Sequence, residues 1–167
     1  MASDEAIGES RLHVAVPAAV SRERARDLLG DGRDAWLGER VADAGSEVLD
    51  GASVRHVLDL ELRVSDHAPR VAFHKAAFVD VGQLRDDGDG SPLSLDLSWR
   101  AAGMTPLFPV FAGSLSWNEG ELLLDGYYAP PGGRIGEMAD RLLLNVAARA
   151  TGRRLLERVA ERMTSGD

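Results

Sequence analysis

Cysteine is absent from the chain, which removes disulfides, thiolate catalysis and cysteine-based zinc sites together. Lysine is almost absent too: of the 19 basic residues only Lys75 is a lysine, which reflects the coding bias of a GC-rich genome and carries no chemical demand. No stretch approaches the ~18 consecutive apolar residues that a membrane-spanning helix requires, so stable membrane insertion is not expected. The first ten residues are acidic and polar, whereas a secretory signal starts basic and turns apolar, and the expectation is an intracellular, cytoplasmic protein. A formal net charge of -8, with arginines scattered among acids and not gathered in a stripe, argues against nucleic acid as a partner. The four histidines, His13, His56, His67 and His74, have no HxH or HExxH spacing, so no metal site is expected. There is no GxSxG elbow, no GxGxxG or GKS/T phosphate loop, and no internal repeat.

What is present suits one globular domain. At 167 residues, 44% hydrophobic and 28% charged, the chain is long enough to bury roughly two-thirds of the surface its unfolded form exposes. Residues 1–10 read as a disordered tail and 11–164 as a single domain. Residues 11–16 alternate polar and apolar and stop at Pro17, which cannot donate to a strand ladder. Ser21 can cap a helix that Gly30 ends, and Asp34 can cap another, carrying Leu37 and Val41, that runs towards Gly45. From Val54 the period becomes two, with Val54, His56, Leu58, Leu60, Leu62 and Val64 on one face. Residues 71–81 are β-prone, with a slip in alternation near Lys75 and Ala76 that predicts a bulge. Leu93, Leu95, Leu97 and Trp99 point one way in the next strand. Residues 107–117 and 122–128 form a hairpin around a three-residue loop, Asn118-Glu119-Gly120. Pro130-Pro131-Gly132-Gly133 breaks the sheet, and the remainder to Met163 reads as one helix about 45 Å long.

Within that helix, Ile135, Ala139, Leu142, Val146 and Ala150 form one apolar stripe, while Leu155, Val159 and Met163 form another displaced around the axis. The displacement predicts a bend or a change of packing face near Gly152.

A strand, two short helices, a meander of long strands and a final long helix resemble the SRPBCC, or helix-grip, superfamily of Bet v 1-like, START-related and polyketide-cyclase-like proteins. Two segments carry the likeness to a bacterial branch of it: Leu107-Phe108-Pro109-Val110-Phe111-Ala112-Gly113, and Leu124-Asp125-Gly126-Tyr127-Tyr128-Ala129-Pro130-Pro131-Gly132 with Gly136 and Asp140. The resemblance implies an α+β helix-grip fold, a curved antiparallel sheet of six to seven strands around the C-terminal helix, and three possible functions. These are binding of an apolar small molecule such as a lipid, isoprenoid or polyketide, a cofactor-free cyclase or hydrolase, and a non-catalytic interaction module with a collapsed cavity. Six strands are countable, and residues 47–50 could supply a seventh.

Three candidate sites can be weighed on chemistry alone. His56 falls on an apolar face, where it is either a pocket acid or base or a hydrogen-bonded core histidine. Asp86, Asp87, Asp89 and Ser91 imitate a calcium loop, but Pro92 replaces the required glycine and Ser98 the bidentate glutamate, so they read as a turn. Gly132-Gly133 and Gly136 open a helix as phosphate loops do, yet the double proline explains them as turn chemistry. A ligand, if held, would lie between sheet and final helix against Leu95, Leu97, Trp99, Phe111, Leu115, Tyr128, Leu142 and Val146. His56 would anchor it, with Asn145 and Arg149 at the margin. No cofactor is called for. The expected partner is a hydrophobic small molecule, and the chain itself is expected as a monomer or homodimer.

Overall fold

The computed structural model describes residues 10–40, 54–63, 72–88, 90–103, 110–129 and 139–165. The N-terminal tail before Ser10, residues 47–50, the glycine-proline segment 130–133, Gly136 and the expected start of the last helix lie outside them. The order is β1 (Ser10–Pro17), α1 (Arg22–Leu29), a 3-10 turn (Asp31–Arg33), α2 (Asp34–Leu37), β2 (Glu39–Arg40), β3 (Val54–Arg63), β4 (Ala72–Val81), β5 (Leu93–Ala101), β6 (Val110–Asn118), β7 (Glu121–Ala129) and α3 (Ala139–Thr164). The strands form one antiparallel sheet ordered β1-β7-β6-β5-β4-β3-β2. The architecture is the α+β helix-grip fold.

Local chemistry sets the short elements. The Ser21 hydroxyl accepts the backbone N–H of Arg24 at 3.2 Å and starts α1, and Gly30 ends it. The second helix is shorter than the sequence suggests: it stops at Leu37 because Gly38, at φ +79°, turns the chain into β2, and a seventh strand appears at Glu39–Arg40. The β6–β7 loop is also tighter than expected. Asn118 pairs with Glu121, leaving a two-residue turn with positive φ at both Glu119 (46°) and Gly120 (86°), the primed geometry that matches strand twist.

The bulge expected near Lys75 is absent, because β4 pairs with β3 in unbroken register from Ala72↔Arg63 to Val81↔Val54. The pattern misleads because the outer face of β4 carries an aromatic: Phe78 sits between the guanidinium groups of Arg55 and Arg100, 5.4 and 5.6 Å from its ring centre. Asp80, on the same face, is buried under a two-bond ion pair with Arg55 (2.6 and 2.8 Å).

Helix α3 approaches β1 and β7 near one flank of the sheet and β3 near the other. Four strand spacings separate β7 from β3, about 19 Å on a flat sheet, whereas a helix is about 10 Å across, so the sheet curves around it. α3 runs uninterrupted through Gly152, which serves close approach and not a break: a Cβ there would stand 3.1 Å from Leu124 and 3.3 Å from Leu12. The second stripe is the one that packs in this half of the helix, with Leu155, Leu156, Val159 and Met163 all buried. Val146 is 44% exposed, which corrects the expectation that it faces the sheet. At ~100° per residue it stands ~120° around the axis from Gly152.

Candidate functional site

Strand register gathers the inward side chains into rows. One row runs across the sheet from β1 to β3: Ser10, Tyr128, Phe111, Trp99, Val79 and His56 are successive cross-strand partners, and the backbone of Arg40 in β2 pairs with His56. The next row contains Leu12, Gly126, Gly113, Leu97 and Val81, and the one after it Val14, Leu124, Leu115 and Leu95. Leu95, Leu97, Trp99, Phe111, Leu115 and Tyr128 are therefore neighbours, and all are buried. Four site residues read from three separate strands and from β3, namely Tyr128, Phe111, Trp99 and His56, belong to a single row.

Two facing glycines shape the centre. Gly113 and Gly126 are direct partners, and a Cβ on either would lie 2.7 or 2.9 Å from the ring of Phe111. The ring thus leans over the bare backbone of the adjacent row, filling the space that two side chains would take. Trp99 stacks on its other side, with ring centres 4.2 Å apart and planes inclined by 21°. Helix position follows from Gly152, which faces Leu12, Val14 and Leu124. The C-terminal end of α3 lies near α1, since Arg24 donates to the carbonyls of Met163, Arg162 and Ser165. One turn before Gly152 stands the small buried residue Ala148.

The polar groups of this inward face differ in how they are satisfied. His56 is 1% exposed, and its Nδ1 lies 3.3 Å from the Gly38 carbonyl and 3.7 Å from Asp34 Oδ1. A carbonyl only accepts, so Nδ1 carries the proton in this contact, and the core-histidine reading describes the geometry. Trp99 is different. Its indole nitrogen is buried and has no hydrogen-bond partner, whereas those of the other two tryptophans donate to backbone carbonyls, Trp36 to Leu28 (3.2 Å) and Trp117 to Ala18 (3.0 Å). An unmet buried donor costs roughly 1–3 kcal/mol. Among the described residues the other buried unpartnered polar atoms are Thr151 Oγ1 on α3 and Arg22 Nε on α1. Trp99 as a polar group was missed in the sequence because alternation reports which face a tryptophan takes, not what its N–H meets.

Of the remaining helix candidates, Arg149 is exposed, and the side chains of Leu142 and Asn145 lie outside the described residues. The acidic turn is an anchor: Asp86 accepts from Arg22 (2.5 Å) and from Arg26 Nε (2.6 Å), and Arg22 also donates to the carbonyls of Gly88 and Ser91. Arg22 first, then Arg26 and the Gly88 N–H, lower the Asp86 carboxyl to about 2. On the outer face Arg11 clasps Asp125 (3.2 and 3.0 Å) and Arg85 clasps Asp96 (2.8 and 2.8 Å), on either side of an open depression of about 480 Å³ floored by Ala112 and Ser114. Each arginine holds its carboxylate below the usual range. Among the described residues, no His, Asp or Glu cluster is placed to hold a metal ion, and no helix is long and apolar enough to cross a membrane.

No protein-family model matches the chain, and comparison with curated proteins finds no match. Among solved structures the chain is similar to DynU16, a protein of the dynemicin biosynthetic locus, at 20% identity and a TM-score of 0.40. That match covers 95% of this chain and 48% of the other, so the chain spans about half the length of DynU16. It is also similar to a conserved protein from Geobacillus kaustophilus (14% identity, TM-score 0.46, 93% of this chain and 94% of that one). The third is Ms6760 from Mycobacterium smegmatis, with 12% identity, a TM-score of 0.46, and coverage of 94% and 92%.

Proposed function

We propose that this protein is a helix-grip member of the Bet v 1-like and START-related superfamily that binds an apolar small molecule between α3 and the inward face of the sheet. The observation that carries the reading is the buried row Tyr128–Phe111–Trp99 on the inward face of a sheet that α3 approaches at β1, β7 and β3. Large apolar side chains from β5, β6 and β7 are collected on the inward face that α3 covers, all of them buried. Affinity would come from buried area, about 25 cal/mol per Å². The chain would act in water on its own or as a homodimer, as a carrier or receptor, with no nucleic acid involved.

Native mass spectrometry of freshly purified protein tests this. The expected spectrum contains a population heavier by the mass of a neutral, solvent-extractable molecule that heating releases. A bare polypeptide mass, together with no rise in melting temperature across fatty acids, isoprenoids and aromatic polyketides, overturns the reading.

A further inference from the structure

We infer that Trp99 is the polar anchor of this site, and that its ligand is an uncharged, planar, apolar molecule with an oxygen or nitrogen acceptor that takes the indole N–H. The inference rests on the binding reading above and adds the chemistry of the ligand.

Three observations carry it. The first is the unpartnered nitrogen of Trp99, in a residue only 2% exposed. Native proteins pair nearly all buried donors, and Trp36 and Trp117 follow that rule here. An indole N–H donates and never accepts, so the missing partner is an acceptor. The second is planarity: Phe111 is held flat between Trp99 and the two glycines, and Tyr128 follows it in the same row, so the ring surface left to a ligand belongs to Trp99 and Tyr128. The third is charge. Between Tyr128 and His56 the row holds no carboxylate, ammonium or guanidinium, and the His56 Nδ1 is already engaged by Gly38. Among the described residues of the sheet a charged ligand would find no counter-ion beside Trp99, and burying an unpaired charge is far costlier than burying a neutral carbonyl.

A matched pair of probes, 9-fluorenone and fluorene, isolates the acceptor: they share a flat three-ring skeleton, only the ketone has an acceptor, and neither has a donor. The readout is the backbone amide signals of β5, β6 and β7 together with the three indole N–H signals of ¹⁵N-labelled protein, the latter assigned with Trp36→Phe, Trp99→Phe and Trp117→Phe. Both probes are expected to perturb signals of the aromatic row, and only fluorenone to move the Trp99 indole proton downfield, with Trp36 and Trp117 unmoved. Fluorenone should bind about tenfold more tightly than fluorene, a preference that Trp99→Phe abolishes while fluorene binding is retained. Equal affinities with an unmoved Trp99 signal overturn the inference and leave the binding reading intact. Absence of any perturbation by either probe overturns both. If Trp99→Phe does not unfold cooperatively, the indole shift and the probe preference of the unaltered protein decide the matter alone.

Discussion

Single residues set the tolerances of the inward face, and glycine is the least replaceable of them. Alanine at position 113 would put its Cβ 2.2 Å from the Asp125 carbonyl oxygen and 2.6 Å from the Gly126 Cα, contacts that only backbone movement can relieve. Gly113→Ala is therefore expected to cost at least about 3 kcal/mol, read as a fall in the denaturation midpoint. A change below 1 kcal/mol would mean that β6 and β7 are less closely apposed than described. Asp86 makes a prediction of a different kind. Its carboxyl is lowered to about 2 in the folded chain, below the ordinary 3.8, so its stabilisation is full above the unfolded value and is lost as the pH falls through about 2. Asp86→Asn should thus lower the melting temperature at pH 7, and the gap from the unaltered protein should close at pH 2. A gap that persists at pH 2 would show that the carboxylate charge is not the source. Alternation in β3 announced the burial of His56 correctly, because period two is a property of the strand alone. The carbonyl that holds the ring belongs to Gly38, 18 residues earlier, and no local pattern reaches that far.

At the level of elements, contacts between side chain and backbone determine how the pieces dock. Arg24 of α1 donates to three carbonyls at the end of α3, groups that a helix C-terminus otherwise leaves to water. Arg24→Ala should destabilise the domain by about 1 kcal/mol and speed amide exchange in the last turn of α3 several-fold, with β5 and β6 unaffected. Uniform acceleration across the sheet would instead mean that the arginine supports the whole fold. Elements were legible where one physical rule decided them: β3 and β5 by alternation, α1 by its serine cap and closing glycine. They were misread where two rules competed. Phe78 on the outer face disguised the register of β4, since an aromatic under two guanidinium groups breaks the polar-out pattern without shifting the backbone. Of the first stripe of α3, Val146 is exposed and Ala150 is buried together with Leu155 and Val159, and Gly152 proved to be a contact point with Leu12 and Leu124, not a hinge.

For the molecule as a whole, the architecture was readable from the order of elements, whereas the site was readable only in part. Inward-facing residues could be named strand by strand, but their assembly into one row depends on register, which hairpin geometry and the Gly113–Gly126 apposition fix. The pairing of β1 with β7 has a consequence in time. The first strand completes its ladder along its whole length, Ser10↔Tyr128 to Pro17↔Glu121, with a segment synthesised about 100 residues later. At ~5–20 residues per second, β1 emerges from the ribosome on the order of 10 s before its partner exists. Through that interval an alternating strand with a free edge has no native neighbour, and α3, which would cover the apolar face of the sheet, comes later still. Closure of the β1 edge therefore waits for β7, and nascent chains halted before β7 should be held by chaperones and not by a completed core.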